Sequence, residues 1–339
     1  MKMLQPQRDG LVHMHERLNL YRAPVPAHET SFASDVRNGL RATPKRLSPR
    51  YFYDDLGSAL FEAITFLPEY YLTRSETEIL ERRADEIMAM LDSPVELVEF
   101  GSGSARKTRM LIDAALRRQA RLDYHPIDIS PGALLASATD LIATHDRLHV
   151  TAYASDYFEV LASARLRTSQ RVLALFLGSN IGNYEPAEAV ELLRAMSRSF
   201  KLGDALLLGA DLKKDAHVLE LAYDDPTGVT QAFNKNLLSR INRELHGTFD
   251  LAAFSHVAVY DERRGSVDSF LEARSPQSVT IGDLGVEVAF AAGERVHTES
   301  SHKFSKTDVA ELALRGGFRL IRSWTDEEDR FSVNLLVIA

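Results

Sequence analysis

The chain has 339 residues, of which 45% are hydrophobic, so it is long enough to bury the cores of two lobes. The formal net charge of −8 argues against a protein that binds nucleic acid through non-specific electrostatic attraction. The sequence contains no cysteine, which excludes disulfides, thiolate metal sites and cysteine nucleophiles. The N-terminal MKMLQPQRDG lacks the apolar core of a signal peptide, and no apolar run approaches membrane-spanning length. We therefore expect a cytoplasmic protein, monomeric, with no membrane or nucleic-acid partner.

Strands and helices alternate along the middle of the chain. The S-x-x-E pattern of Ser75 and Glu78 predicts the start of a helix, and PVELVEF predicts a strand that enters a glycine turn. A helix follows from Lys107 to Leu116. The same alternation continues through LDYHPIDIS, GALLASATDLIATH, LHVTAYASDY, EVLASARL, RVLALFLGSNIGN, PAEAVELLRAMSRSF and DALLLGADL. It predicts an α/β fold with a doubly wound, mostly parallel sheet.

The C-terminal segment departs from this alternation. TDVAELALRGGF predicts a helix ended by Gly316 and Gly317, and FRLIRSWTDEEDRFSVNLLVIA predicts a β-hairpin. A closing hairpin on a parallel sheet is typical of class I methyltransferases. Residues 75–212 and 304–339 are therefore expected to form the cofactor-binding domain. Residues 1–74 and 213–303 fit the sheet poorly and predict a second, α+β lobe that binds substrate and closes over the carboxyl ends of the strands.

The glycine turn lies within VEFGSGSARKT, residues 98–108. The phosphate-binding patterns G-x-x-x-x-G-K-[ST] and G-x-G-x-x-G both need a glycine where this chain has Arg106. The remaining pattern, Glu99-x-Gly101-x-Gly103, lets the backbone pass close to a ligand without phosphate at this point. It suits S-adenosylmethionine, with the amino-acid end of the ligand meeting backbone groups and Glu99 or its neighbours.

Acidic residues close the next two predicted strands. Asp128 is placed to accept hydrogen bonds from both ribose hydroxyls, while Asp156 and Tyr157 suit the exocyclic amine and the ring of adenine. Each aspartate taken singly is equally well interpreted as a helix N-cap. Their occurrence at successive strand ends favours an adenosyl ligand.

Four longer segments resemble one known family. SPRYFYDDLGSALFEAITFLPEYYLTRSETEIL, LFLGSNIGN, AYDDPTGVTQAFNKNLL and HTESSHKF together are similar to the histidine-specific, S-adenosylmethionine-dependent methyltransferases, from about Pro44 to the C-terminus. The resemblance implies trimethylation of an α-amino group, giving hercynine when the substrate is histidine, a step of ergothioneine biosynthesis.

The resemblance also assigns site residues. The family's cofactor positions fall on Tyr53, Gly101, Lys107, Asp128, Asp156 and Tyr157. Tyr70, Asn183 and Tyr223 fall on positions around the amino acid and are the candidate catalytic residues. Glu299 and Ser301 fall on the positions that recognise the imidazole.

One departure leaves the substrate open. Where the family carries a methionine beside the imidazole, FLEARS places Ala273, which enlarges the pocket. The alternatives are an α-N-methyltransferase for another aromatic amino acid, such as tryptophan, and a non-catalytic protein that binds an adenosyl ligand. His13 and His15 are interpreted as surface residues, so no metal is expected.

Overall fold

The structure, a computed structural model, describes residues 10–22, 32–92, 94–162, 166 and 168–338. The strands are β1 (Leu11–His15), β2 (Leu18–Arg22), β3 (Lys45–Arg46), β4 (Val95–Phe100), β5 (Leu122–Asp128), β6 (Leu148–Ala154), β7 (Arg171–Phe176), β8 (Ala205–Asp211), β9 (Phe254–Asp261), β10 (Ser266–Ala273), β11 (Gln277–Ile281), β12 (Val286–Phe290), β13 (Arg295–His302), β14 (Phe318–Thr325) and β15 (Phe331–Ile338). The helices are α1 (Phe32–Arg41), α2 (Asp55–Ile64), α3 (Tyr71–Ala89), α4 (Arg106–Arg118), α5 (Pro131–Thr144), α6 (Tyr157–Ala162), α7 (Pro186–Ser199), α8 (Ala216–Tyr223), α9 (Val229–Leu245) and α10 (Lys306–Arg315).

The chain divides into two compact units. Unit 1 comprises Met1–Val25, Leu72–Lys213 and Phe304–Ala339, and unit 2 comprises Pro26–Tyr71 and Lys214–Lys303. No helix in the described part of the chain is long and apolar enough to cross a membrane.

Unit 1 is built on a nine-stranded sheet with the order β1-β2-β6-β5-β4-β7-β8-β15-β14. Strands β2, β6, β5, β4, β7 and β8 are mutually parallel, which confirms the predicted α/β fold. Every residue of β4 and of β8 is buried. Continuous burial is typical of parallel strands that are covered on both faces by helices.

The strand order indicates where on the sheet a ligand is expected to bind. Strand β4 has β5 on one side and β7 on the other, so the chain reverses its winding direction at β4 and β7. In open α/β sheets, ligands bind outside the carboxyl ends of the strands at such a reversal. The glycine turn follows β4, and a 3₁₀ turn at Asn180–Asn183 follows β7.

The C-terminal hairpin closes the sheet as predicted. Strand β15 pairs antiparallel with β8, and β14 pairs antiparallel with β15. A sheet whose parallel strands end in this antiparallel hairpin is the class I methyltransferase architecture.

The prediction that the N-terminal residues belong to the substrate lobe is wrong for the described residues 10–22. Strands β1 and β2 form an antiparallel hairpin, and β2 pairs in parallel with β6, from Leu18 opposite Val150 to Arg22 opposite Ala154. Leu18, Leu20 and Tyr21 are buried in this position. The segment therefore belongs to the main sheet and not to a substrate lobe.

The predicted start of the first long helix was also wrong. Helix α3 begins at Tyr71, so Ser75 lies inside it. The Ser75 hydroxyl donates to Asp326 Oδ2 at 3.1 Å, and Glu78 Oε1 accepts from the backbone N–H of Glu327 at 3.0 Å. Both side chains therefore bind the turn between β14 and β15 instead of capping α3.

Unit 2 contains a four-stranded sheet with the order β3-β13-β10-β9 and a separate pair, β11 and β12. Strand β10 pairs antiparallel with β13, with Ser269 opposite Glu299 and Phe270 opposite His297. Thr298 is the extra residue of this β-bulge, and bulges commonly redirect side chains near functional sites. Helices α8 and α9 pack against β9 and β10.

Candidate active site

The glycine turn after β4 is held open by left-handed backbone conformations. Gly101, Gly103 and Ala105 have φ values of 75°, 49° and 52°. The N–H of Gly101 donates to Ile127 O at 2.8 Å, which ties the turn to β5. A Cβ atom added at Gly103 would meet no atom within 4 Å, so this side of the turn is open to a ligand.

Asp128 is fixed beside this turn at the end of β5. One carboxylate oxygen accepts from the N–H of Gly103 and the other from the N–H of Ser130, both at 2.9 Å. Burial raises the pKa of Asp128, and the backbone hydrogen bonds from Ser130 and Gly103 oppose that increase. Since a carboxylate has about four lone-pair sites, each oxygen can accept a further hydroxyl.

Asp156 and Tyr157 begin helix α6. Asp156 Oδ1 accepts from the N–H of Phe158 at 2.8 Å, so this residue does cap the helix. The Tyr157 hydroxyl bonds to that of Tyr184, and its ring lies edge-on to Phe100 with centroids 6.2 Å apart. Burial raises the pKa of Tyr157 to about 12, so the phenol stays neutral.

Lys107 leads to a residue that the sequence interpretation missed. Its ammonium pairs with Glu76 on α3, which is fully buried. The two oxygens of Glu76 also accept from the N–H of Gly178, each at 2.9 Å. Glu76 therefore joins the first turn of α4 to the loop after β7. Its position on the buried stripe with Leu72, Ile79 and Leu80 is the sequence pattern that could have identified it.

Glu99, one of the residues expected near the amino-acid end of the ligand, is bound by two side chains of unit 1. The Thr108 hydroxyl donates to Oε1 at 2.6 Å, and the Tyr124 hydroxyl donates to Oε2. Burial raises the pKa of Glu99 to about 7. With both oxygens bound from within the fold, Glu99 stabilises the turn.

Asn183 ends the 3₁₀ turn after β7 and is exposed. The turn begins after Ser179, whose φ is 57°, and Asn180 Nδ2 lies 3.1 Å from the position of a Cβ atom added at Gly101. The loop that carries Asn183 thus borders the glycine turn.

The three predicted tyrosines of unit 2 belong to one aromatic cluster. Tyr53 lies 5.8 Å from Phe61 between ring centroids, and Phe61 lies 6.3 Å from Tyr70. Tyr70 in turn lies 6.2 Å from Tyr223. The backbone of Tyr223 is fixed by His256, whose Nε2 contacts its carbonyl oxygen at 2.7 Å.

Glu299 and Ser301 share one face of β13, because side chains alternate along a strand. The Ser301 hydroxyl lies 2.8 Å from that of Tyr223. Burial raises the pKa of Glu299 to about 7, and the charge of Lys303 opposes that increase. Lys303, which the sequence interpretation missed, continues the same alternation two residues beyond Ser301 and is 3% exposed.

Ala273, which was expected beside the imidazole, does not lie opposite Glu299. It pairs with Phe254 of β9 at the end of β10, four residues from Ser269. Ser269 is the residue opposite Glu299, and directly opposed side chains lie on the same face of a sheet.

The residues of unit 1 fit S-adenosylmethionine. The turn approaches the ligand through bare backbone, Asp128 retains acceptor capacity, and the buried Ser102 hydroxyl has no hydrogen-bond partner among the described residues. A parallel sheet with a closing hairpin, a glycine turn after β4 and an acid after β5 defines a class I S-adenosylmethionine-dependent methyltransferase.

Comparison with known proteins gives the family. Residues 32–338 match the family described as histidine-specific methyltransferase, SAM-dependent, and the chain belongs to it. A histidine N-alpha-methyltransferase of Mycolicibacterium smegmatis is 43% identical, covering 89% of this chain and 94% of the relative. That of Mycobacterium tuberculosis is 44% identical, with 89% and 93% covered. Ergothioneine biosynthesis protein 1 of Schizosaccharomyces pombe is 30% identical, with 82% of this chain and 37% of the relative covered.

Proposed function

We propose that the protein transfers methyl groups from S-adenosylmethionine to the α-amino nitrogen of L-histidine, giving the trimethylated product hercynine in ergothioneine biosynthesis. The observation that carries the proposal is the polar face of β13, where Glu299 and Ser301 stand on one side of the strand and Ser301 contacts Tyr223. An acceptor and a hydroxyl side by side suit a ring with two nitrogens. The relatives named histidine N-alpha-methyltransferase support the same substrate.

Unit 1 supplies most of the proposed cofactor contacts. Asp128 accepts the ribose hydroxyls, Asp156 accepts the exocyclic amine of adenine, and Tyr157 packs against the adenine ring. Gly101 presents its backbone, and Lys107 meets the carboxylate end of the ligand. Tyr53 is the sixth proposed cofactor residue.

The proposed amino-acid residues orient the amine. S-adenosylmethionine supplies an electrophilic methyl group, so the protein's task is chiefly alignment, which can contribute about 7–11 kcal/mol. Tyr70, Asn183 and Tyr223 each carry a neutral hydrogen-bonding group suited to the amino-acid head. Neutral partners leave the lone pair of the deprotonated amine available for displacement. A desolvated site beside a sulfonium charge also favours loss of the amine proton.

In this proposal, Glu299 and Ser301 recognise the imidazole by hydrogen bonding to its two nitrogens. The Glu299 carboxylate accepts the ring N–H, and Ser301 serves the other nitrogen. A site that reads polar groups can reject analogues lacking them by about 10⁴-fold, whereas a methylene-sized misfit gives about 10- to 200-fold.

A second candidate substrate is another aromatic amino acid. Ser269, opposite Glu299, is small and leaves room for a bulkier ring. Discrimination by hydrogen bonding, about 10⁴-fold, is larger than discrimination by pocket size, about 10- to 200-fold. Histidine is therefore the favoured substrate.

The test compares kcat/KM for histidine, phenylalanine and tryptophan, with product masses measured at completion. We expect histidine to exceed both by well over a hundredfold, with trimethylated product dominant and mono- and dimethylhistidine accepted. Glu299→Ala should erase most of that preference while S-adenosylhomocysteine affinity is unchanged. The matched control is Glu272→Ala, which removes a carboxylate of the same sheet that is bound to Arg295 at 2.7 Å. Comparable turnover of tryptophan would favour the second candidate, and cofactor binding without any methyl transfer would indicate a non-catalytic protein.

A further inference from the structure

Three side chains of unit 2 form a polar row on β13. Glu299, Ser301 and Lys303 alternate along the strand and its next residue, so they project from one face. The backbone N–H of Lys303 donates to Gly265 O at 2.7 Å, which fixes the end of the row. The side chain of Lys303 is 3% exposed, although a lysine is seldom buried without partners.

Lys303 contacts two hydroxyls of the proposed substrate site. Its Nζ lies 2.7 Å from the Tyr223 hydroxyl and 2.9 Å from Ser301 Oγ. These two hydroxyls are themselves 2.8 Å apart. The three polar atoms therefore form a closed triangle.

The triangle constrains the direction of its hydrogen bonds. An ammonium group has donors and no acceptor, so Lys303 donates to both hydroxyls. A phenol is a stronger acid than an aliphatic alcohol, which favours Tyr223 as the donor to Ser301 along the third side. Both lone pairs of Ser301 Oγ are then used, and its own O–H is directed out of the triangle.

We propose that Lys303 is a positioning residue that makes Ser301 a hydrogen-bond donor, so that the pocket selects an azole ring carrying one N–H and one unprotonated nitrogen. Glu299 accepts the N–H, and Ser301 donates to the other nitrogen. This inference rests on the proposed function and extends it, because it assigns the direction of recognition to a lysine that touches neither nitrogen.

The test uses substrates that differ only in the acceptor nitrogen. Pyrrol-2-yl-alanine and pyrrol-3-yl-alanine each keep one ring N–H and replace the other nitrogen by CH. For the native enzyme we expect kcat/KM for histidine to exceed that for the better pyrrole by at least tenfold. Lys303→Met should lower kcat/KM for histidine by about that factor, mainly through KM, and leave the pyrrole within threefold.

Two further variants separate this role from a purely structural one. In a Ser301→Ala background, Lys303→Met should cost little additional selectivity, because both changes remove the same directed donor. Lys45→Met is the matched control, since it removes a partly buried lysine, paired with Glu294, from the neighbouring strand β3. Should Lys303→Met fail to fold, Lys303→Gln replaces it, because an amide can accept as well as donate and does not fix the direction.

The possible outcomes distinguish a failure of the proposed function from a failure of the proposed role of Lys303. A native enzyme that does not methylate histidine contradicts the proposed function itself. A native enzyme that prefers histidine, with variants at Lys303 that lower histidine and pyrrole turnover equally, overturns only the role of Lys303. Equal losses would mean that Lys303 acts on the α-amino and carboxylate part that both substrates share.

Discussion

Individual residues of this protein take their roles from the partners that the fold gives them. Glu99 and Glu299 are both acids whose pKa burial raises to about 7. Glu99 is bound on both oxygens by Thr108 and Tyr124, whereas Glu299 shares a strand face with Ser301 of the proposed pocket. The sequence shows two acids in strand-like segments and does not separate these situations. Only the resemblance to a family assigned Glu299 to a proposed substrate pocket.

The raised pKa of Glu299 makes stability depend on pH. Between the ordinary glutamate pKa of 4.5 and the raised value of about 7, the folded protein binds this proton more tightly than the unfolded chain does. The free energy of unfolding therefore falls as pH rises through that window. Glu299→Gln, which cannot ionise, should be more stable than the native protein above pH 7, by at most about 3–4 kcal/mol, since one pKa unit corresponds to about 1.4 kcal/mol.

Chemical denaturation of the ligand-free protein at several pH values measures this difference. The advantage of Glu299→Gln should shrink as pH falls toward the ordinary glutamate range. Glu272→Gln serves as the control and should show no such gain, because Glu272 is ion-paired with Arg295. A stability difference that is the same at every pH would contradict the raised pKa.

The secondary-structure elements were predictable where a pattern repeats and were mispredicted where distant contacts decide. The parallel sheet and the closing hairpin follow from alternating apolar strands and amphipathic helices, and both are present. The start of α3 was misplaced because Ser75 and Glu78, which have the sequence of a cap, bind a turn about 250 residues away. Strands β1 and β2 were misassigned because pairing with β6 is non-local.

The register of β10 against β13 illustrates the same limit and gives a prediction. Ser269, not Ala273, lies opposite Glu299. Ser269→Leu should fill the space beside Glu299 and raise KM for histidine at least tenfold, a methylene-sized misfit or more. Ala273→Leu overpacks a fully buried position against β9 and should cost about 1–3 kcal/mol of stability while changing KM less than threefold.

Steady-state kinetics and thermal unfolding of both variants decide between the two registers. S-adenosylhomocysteine affinity is the internal control, because neither position lies in unit 1. A large KM change for Ala273→Leu with none for Ser269→Leu would contradict the pairing.

At the scale of the whole molecule, each unit is assembled from separated parts of the sequence. Unit 2 is formed by Pro26–Tyr71 together with Lys214–Lys303, and the last segment, Phe304–Ala339, returns to complete the sheet of unit 1. The β1–β2 hairpin lies outside the matched family region of residues 32–338, yet it extends the same sheet. In the proposed function, the cofactor binds mainly to unit 1 and the amino acid binds mainly to unit 2.

Hydrogen exchange with each ligand tests this division. S-adenosylhomocysteine alone should slow exchange at the turn after β4, at the end of β5, at the start of α6 and around Tyr53. The reason is that a bound ligand suppresses local opening of the segments that it contacts. Adding L-histidine should extend protection to β13 and the end of α8. Asp128→Ala removes the proposed acceptor of the ribose hydroxyls and should weaken cofactor binding by roughly 1.5–3 kcal/mol, the range for hydrogen bonds to charged groups. Its control, Asp123→Ala, removes an ion-paired acid from the opposite end of β5 and should bind normally. Cofactor protection concentrated in β13, or unchanged affinity of Asp128→Ala, would contradict the assignment of the cofactor to unit 1.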